Sequence, residues 1–226
     1  MASSTNTAAP SDALALFARK LAHDLNNFST VVRTYSELLL ADLPPESRYR
    51  PDVEEIHRAS DAMVQYLQRV TRFARVGAMR RVPVDVMAGV VDAVETLRTE
   101  APERAVRVEG STITPLAADV LWWRDVLVEL LRNAHEASPA GDTLVVQVAV
   151  AEGALELSVQ DSGPGLPAEL FNSVTAPFVT SKHGVRGAGL GLALVSAFVG
   201  SLQGSLTFSH GTTGHTVTLR LPLSTE

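Results

Sequence analysis

Residues 118–165 read ADVLWWRDVLVELLRNAHEASPAGDTLVVQVAVAEGALELSVQDSGPG. From 118 to 137 apolar residues recur at steps of three and four with no Gly or Pro, which reads as one long helix. Residues 143–150 and 154–160 are β-branched, alternating runs that read as strands. A long helix set against hairpin-connected strands predicts an α+β sandwich. Working outward, residues 85–99 read as a helix and 105–109 as a short strand. Past the DSGPG turn, a Gly- and Pro-containing loop runs to Gly187. Residues 188–201 read as a helix with Gly191 inside it, and 206–209 and 216–221 as a closing hairpin turned by the 211–214 stretch.

The N-terminal third has a different pattern. Residues 1–10 are small and polar and are expected to be disordered. Ser11 or Asp12 is placed to cap a helix. Leu14, Phe17, Leu21, Leu25, Phe28, Val32, Tyr35 and Leu39 then form a heptad-like stripe, and Pro44-Pro45 ends the helix. A second helix begins near Asp52 and carries Val53, Ile56, Met63, Leu67, Val70 and Ala74 as its stripe. Residues 11–78 thus predict an antiparallel helical hairpin, 79–84 a linker, and 85–226 a second domain. One hairpin seam is a marginal core. Leu16, Val31, Leu38, Val64 and Tyr66 flank the stripes as a second apolar surface, so a homodimer forming a four-helix bundle is expected.

The 226 residues are 46% hydrophobic and 19% charged with a net charge of −6, which argues against a nucleic-acid-binding face. There is no cysteine, so disulfides and thiolate metal sites are excluded. No apolar run reaches the roughly 18 residues of a membrane span, and the first residues lack the pattern of a signal peptide. A cytoplasmic protein is expected.

Four groups of residues can carry chemistry. His23-Asp24-Leu25-Asn26-Asn27 sets an imidazole beside an acid on a helix, on the side away from Leu21 and Leu25. A neutral imidazole is a nucleophile, the carboxylate can orient it, and Asn27 lies one turn on along the same face. Glu129 and Asn133 share one face of the long helix and supply oxygen ligands of the kind Mg²⁺ takes. A solvated polar pair would have the same spacing. Asp161, Gly163 and Gly165 follow an apolar strand, where an acid can accept from an amino group and glycines let a ligand approach; a plain turn would read the same way. Gly187, Gly189, Leu190 and Gly191 open a helix, a favourable phosphate position, with Lys182 and Arg186 just upstream. Their spacing is neither that of the dinucleotide fingerprint nor that of a P-loop. Each group alone is weak. Their order along the chain is what informs.

That order resembles the histidine kinases of two-component signalling over residues 11–226. His23 to Asn27 resembles the phosphoacceptor box, and residues 129–137 the Asn box, implying that Asn133 coordinates Mg²⁺ with help from Glu129. Asp161 to Gly165 is similar to the adenine-binding box, Pro177 to Lys182 to the Phe box of an ATP lid, and Gly187 to Leu192 to the second glycine box. His215-Thr216-Val217 resembles the closing strand, implying Thr216 near adenine. The implied fold is a four-helix-bundle dimer bearing Bergerat-type (GHKL) ATP-binding domains. Glu136 stands where the family often has Lys or Arg, and Val217 where it has an aromatic. No sensor module precedes the hairpin, so a longer sensor or a partner-borne signal is expected. The resemblance implies that ATP with Mg²⁺ phosphorylates His23, that a response-regulator receiver aspartate takes the phosphoryl group, and that Asp24 and Asn27 serve a phosphatase reaction. The alternatives are a phosphotransfer scaffold with a degenerate ATP domain, a GHKL protein-serine kinase, and a gyrase- or chaperone-like ATPase.

Overall fold

The computed structural model describes residues 10–73, 80–112, 114–166, 168–170, 173–180, 189–211 and 214–223. The chain divides into two units, one holding the first two helices and the other every remaining element.

The helical unit is α1 (Pro10–Asp42) and α2 (Arg50–Phe73). α1 begins at Pro10, earlier than a Ser11 or Asp12 cap implies; proline's fixed φ suits a first helical position. The chain reverses after Pro44-Pro45. There Arg50, at the start of α2, donates Nη1–H to the carbonyls of Leu40 and Leu43, satisfying orphan acceptors at the end of α1. α1 does not meet α2 along its expected stripe, whereas Leu67 of the expected α2 stripe is buried in the seam. Ala22, Ser29 and Ser36, each a heptad apart, are buried against a surface that includes Ser60 and Leu67. Small residues permit close approach of the two helices, and polar ones bond locally: Ser36 Oγ lies 3.0 Å from His57 Nδ1 across the seam. Leu21, Leu25, Phe28, Val32, Tyr35 and Leu39, the predicted α1 stripe, are exposed within the single chain, as are Ile56 and Met63 of α2. Val64 and Tyr66, expected on an outer surface, are half-buried.

The second unit contains β1 (Val82–Val84), α3 (Val86–Glu100), β2 (Ala105–Gly110), β3 (Leu116–Ala118), α4 (Val120–Ala137), β4 (Thr143–Ala151), β5 (Ala154–Asp161), α5 (Gly191–Ser201), β6 (Ser205–Gly211) and β7 (Gly214–Pro222). The five-stranded sheet has the order β2-β4-β5-β7-β6 and is antiparallel except for β2 and β4, which run parallel across the α4 crossover. β1 and β3 pair in a separate two-stranded sheet. The expected 79–84 linker is thus partly strand: Val84 is buried, and Pro83 pairs opposite Ala117 in a ladder short enough to tolerate its missing N–H.

The sheet has one buried face. Leu144, Val146 and Val148 of β4, Leu155, Leu157 and Val159 of β5, and Val217, Leu219 and Leu221 of β7 pack beneath the helices. Trp122 and Trp123 of α4 lie against Phe198 of α5, with ring centroids 6.4 and 6.1 Å apart. Gly89 allows α3 to close on α4, since a Cβ there would sit 2.4 Å from Trp123 Nε1. Asp85 caps α3 through Ala88 N–H, and Asp119 caps α4 through Leu121 and Trp122 N–H. At the far end of α4 the buried Arg104 donates to His135 Nδ1 at 2.9 Å and to the carbonyls of Pro139, Asp142 and Ser138. It ties down the helix end and the loop that feeds β4.

Candidate functional site

In the helical unit, His23 is exposed, as the flanking leucines imply, with 73% of its side chain accessible. Its Nδ1 lies 3.3 Å from Asp24 Oδ1, and Lys20 Nζ lies 3.4 Å from Asp24 Oδ2. The hydrogen bond with His23, with Lys20 alongside, holds the Asp24 carboxyl below the usual carboxylate range. With Nδ1 engaged, Nε2 is the ring nitrogen left to react. Asn27 is exposed one turn along. Lys20 is an addition to the predicted group; its signal was the i,i+4 spacing to Asp24.

In the second unit, α4 presents Glu129 and Asn133 to the start of α5. Glu129 is 2% exposed. Its Oε1 lies 3.5 Å from Arg132 Nη1, whose guanidinium is itself bonded to Glu100; that bond raises Arg132 above its usual value. The Asn133 side-chain nitrogen is buried without a partner. Gly191 completes the enclosure. A Cβ at that position would stand 3.0 Å from Glu129 Oε2 and 3.3 Å from Asn133 Nδ2, so only glycine leaves the space open. α5 opens there with no side-chain cap, and its N-cap residue, Leu190, has its side chain in the core. Leu190 therefore serves the site through the backbone alone.

Asp161 closes β5 with 5% exposure, and its Oδ1 accepts Gly163 N–H at 2.8 Å. Gly163 packs on the end of α4, where a Cβ would meet Ala137 O at 2.7 Å. That contact sets the DSGPG turn one helical turn beyond Asn133. Gly165 has φ +80°. Phe178 N–H donates to Gly189 O at 2.8 Å, and a Cβ on Gly189 would lie 2.5 Å from the Phe178 carbonyl carbon. Phe178 is exposed with φ +68°, a strained conformation for an aromatic residue. The second glycine box and the Phe-box segment are thus clasped together. Lys182 and Gly187 lie outside the described residues.

Thr216 lies in β7. It pairs with Gln160, and the alternation of β7 turns it to the outer face of the sheet. The partner of Asp161 is His215, buried, with Nδ1 3.7 Å from Asp161 Oδ2. Position 215, not 216, therefore faces the same side as Asp161.

The geometry can hold an anionic, base-bearing ligand between an oxygen-rich helix face, an uncapped helix start and a strand-end carboxylate. Comparison with known proteins agrees. Residues 118–225 match the family of histidine kinase-, DNA gyrase B- and HSP90-like ATPases. The sensory histidine kinase/phosphatase NtrB of Rhizobium leguminosarum bv. phaseoli is 30% identical over 92% of this chain and 58% of its own length. The histidine protein kinase DivJ of Caulobacter vibrioides is 27% identical over 92% of this chain and 37% of its own. The chain carries a two-component histidine kinase core. The chain spans 37% and 58% of the lengths of DivJ and NtrB, less than two thirds of either. Its fold is that of full-length ShkA solved with AMPPNP, with a TM-score of 0.74 over 92% of this chain and 46% of that one at 22% identity. The mycobacterial sensor histidine kinase MprB aligns over 63% of this chain and 97% of its own with a TM-score of 0.55 at 27% identity. Among the described residues no helix is long and apolar enough to cross a membrane.

Proposed function

We propose that this kinase core transfers the γ-phosphoryl group of ATP to His23 and passes it to an aspartate on a response-regulator receiver domain. The observation that carries the proposal is the exposed His23 ring, bonded through Nδ1 to a carboxylate held in its charged form, in a chain whose other unit has an ATP-binding fold. Asp24 keeps the ring proton on Nδ1, so Nε2 offers its lone pair in line to the phosphorus while the ADP oxygen leaves. Asp161 would accept from the adenine amino group. Gly189 and the α5 start would meet phosphate oxygens through backbone N–H groups; Lys182 and Gly187, which the family resemblance gives the same role, lie outside the described residues. Mg²⁺ would be held by the Asn133 side-chain oxygen and the Glu129 carboxylate, which lie side by side against the space that Gly191 leaves open; the unpartnered Asn133 Nδ2 beside them is a donor suited to a phosphate oxygen. No cluster of three or more His, Cys, Asp or Glu occurs among the described residues, which suits a cation that borrows most of its oxygens from phosphate and water. When bound, Mg²⁺ supplies charge neutralisation. The residues themselves position and exclude water.

The test is labelling with γ-radioactive ATP. Wild type should acquire acid-labile, base-stable phosphate and pass it to a receiver domain; His23→Gln should acquire none. Label on the variant equal to wild type would sink the assignment, and acid-stable phosphoserine on a partner would favour the serine-kinase alternative. A second reaction has support of its own. NtrB is named as both kinase and phosphatase, and Asn27 is exposed one turn from His23. We assign Asn27 to orienting water for dephosphorylation of the regulator. The core acts as a homodimer through the exposed α1 stripe.

A further inference from the structure

Ala22, Ser29 and Ser36 mark the line along which α1 faces α2. At roughly 3.6 residues per turn, Asn26 lies about 60° to one side of that line and His23 about 60° further round the same way. Leu21, Leu25 and Phe28 of the apolar stripe lie on the opposite side. Asn26 therefore stands between the seam and the exposed His23 ring, three residues from it and adjacent on the helix surface. It is half-buried, and its Oδ1 is buried with no partner. The nearby hydroxyls do not supply one. Ser29 Oγ donates to Leu25 O at 2.9 Å, and Thr30 Oγ1 to the backbone carbonyl of Asn26 at 2.8 Å. On α2, Thr71 Oγ1 donates to Leu67 O at 2.8 Å. A hydroxyl has one hydrogen to give, and each of these is already committed. A buried acceptor left unpaired destabilises the fold, and a leucine would fill the same place without that loss. The oxygen end of the amide thus works against the seam. With Oδ1 turned inward, the two Nδ2–H donors face outward on the His23 side.

We propose that Asn26 is a phosphoryl-binding residue, its Nδ2–H donating to an oxygen of the phosphoryl group as that group arrives on His23 Nε2. The proposal rests on the reading of His23 as phosphoacceptor. Asp24 engages Nδ1, so the incoming group meets the other ring nitrogen. It brings oxygens that share negative charge to a place where none stood before transfer. A donor already fixed beside that place stabilises the new charge without having to reorganise. The seam does the fixing, because the inner end of the Asn26 amide is enclosed there. Asn27 lies on the side of His23 away from the seam and is exposed. The two adjacent amides therefore divide the work: Asn26 holds the phosphoryl group on the histidine, and Asn27 faces the water and the regulator.

The experiment compares wild type, Asn26→Leu and Asn26→Asp as full chains. Label incorporation from γ-radioactive ATP at saturating nucleotide reads the reaction, and urea unfolding followed by circular dichroism reads stability. Asn26→Leu should slow the initial rate at least about tenfold, the loss of one hydrogen bond to a charged group, while its urea midpoint stays at or above the wild-type value. Asn26→Asp has the same shape but replaces the donors with a charged acceptor, and should be slowed at least as much. A leucine variant labelled at the wild-type rate overturns the proposal. So does a midpoint that falls together with the rate, which would make Asn26 a seam residue only. Should both variants fail to fold, the side-chain amide resonance of Asn26 in wild type is the second measurement: it should move when His23 is phosphorylated, and an unmoved resonance overturns the role. Absence of acid-labile label on wild type would instead overturn the reading of His23 itself.

Discussion

Asp24 decides how the His23 ring is presented. In the proposed reaction a carboxylate on Nδ1 fixes the tautomer and leaves Nε2 as nucleophile, and the bond to His23, with Lys20 alongside, keeps that carboxylate charged. Because the Asp24 pKa is depressed, its bond to His23 is present above the ordinary carboxylate range and is lost only as pH falls below that range. Between about pH 5 and about pH 8 the group does not titrate. Asp24→Asn should therefore slow autophosphorylation on the order of a hundredfold at neutral pH. Initial rates of label incorporation check this; a variant as fast as wild type would show that Asp24 does not present the ring. The exposure of His23 and the shared face of Glu129 and Asn133 were legible because each sits in a short motif whose spacing fixes its face. That position 215 rather than 216 shares the Asp161 side was not; it needed the pairing register of β7 against β5, and a one-residue difference in register turns a side chain to the other face. Counting alternate positions back from the buried Leu221, through Leu219 and Val217, arrives at 215.

Among the elements, the long helices and the strands with clear alternation were readable to within a residue or two. β1 and β3 were not, since three residues show no period. The hairpin seam was misread for a physical reason. Leu21, Phe28 and Tyr35 have the stronger apolar signal, yet Ala22, Ser29 and Ser36 are small enough to let α1 and α2 approach, and the larger residues are left outside. Arg104 escaped notice because its partners are carbonyls and His135, none of which marks a cation site in sequence. Its guanidinium holds the end of α4, on which Asn133 sits, against the loop before β4. Arg104→Ala leaves those buried acceptors unpaired and should destabilise the second unit by about 3 kcal/mol. Urea unfolding followed by tryptophan fluorescence measures it, Trp122 and Trp123 being the only tryptophans. An unchanged midpoint would mean that water replaces the guanidinium without loss.

For the whole molecule, the exposed α1 stripe is an apolar surface that the described residues of the single chain leave uncovered. Leu21, Leu25, Phe28, Val32, Tyr35 and Leu39 lie along one helix, each between 38% and 68% exposed. Covering a half-exposed side chain of this size contributes about 1 kcal/mol. A twofold pairing covers each stripe twice over, once per protomer, so the gain reaches about 12 kcal/mol, within the range of roughly 4–15 kcal/mol that association costs. Ile56 and Met63 of α2 add to the gain if they join the same interface. The seam inside one hairpin, by contrast, draws only small residues from α1 among those fully buried, with Leu67 the one large apolar side chain fully buried from α2 among the described residues. The hairpin's stability should therefore depend on its partner copy, and dissociation should melt it. Phe28→Asp places a carboxylate in the middle of the stripe of both copies, where each would have to be desolvated beside the other. Light scattering should then show the mass falling from dimer to monomer, with a loss of helical circular dichroism greater than one residue could cause. The variant's Mg-ADP affinity should stay at the wild-type value, because Glu129, Asn133, Asp161 and Gly189 to Gly191, the described residues assigned to the nucleotide, lie in the other unit. A variant that stays dimeric with its helicity intact would place the interface on a different face.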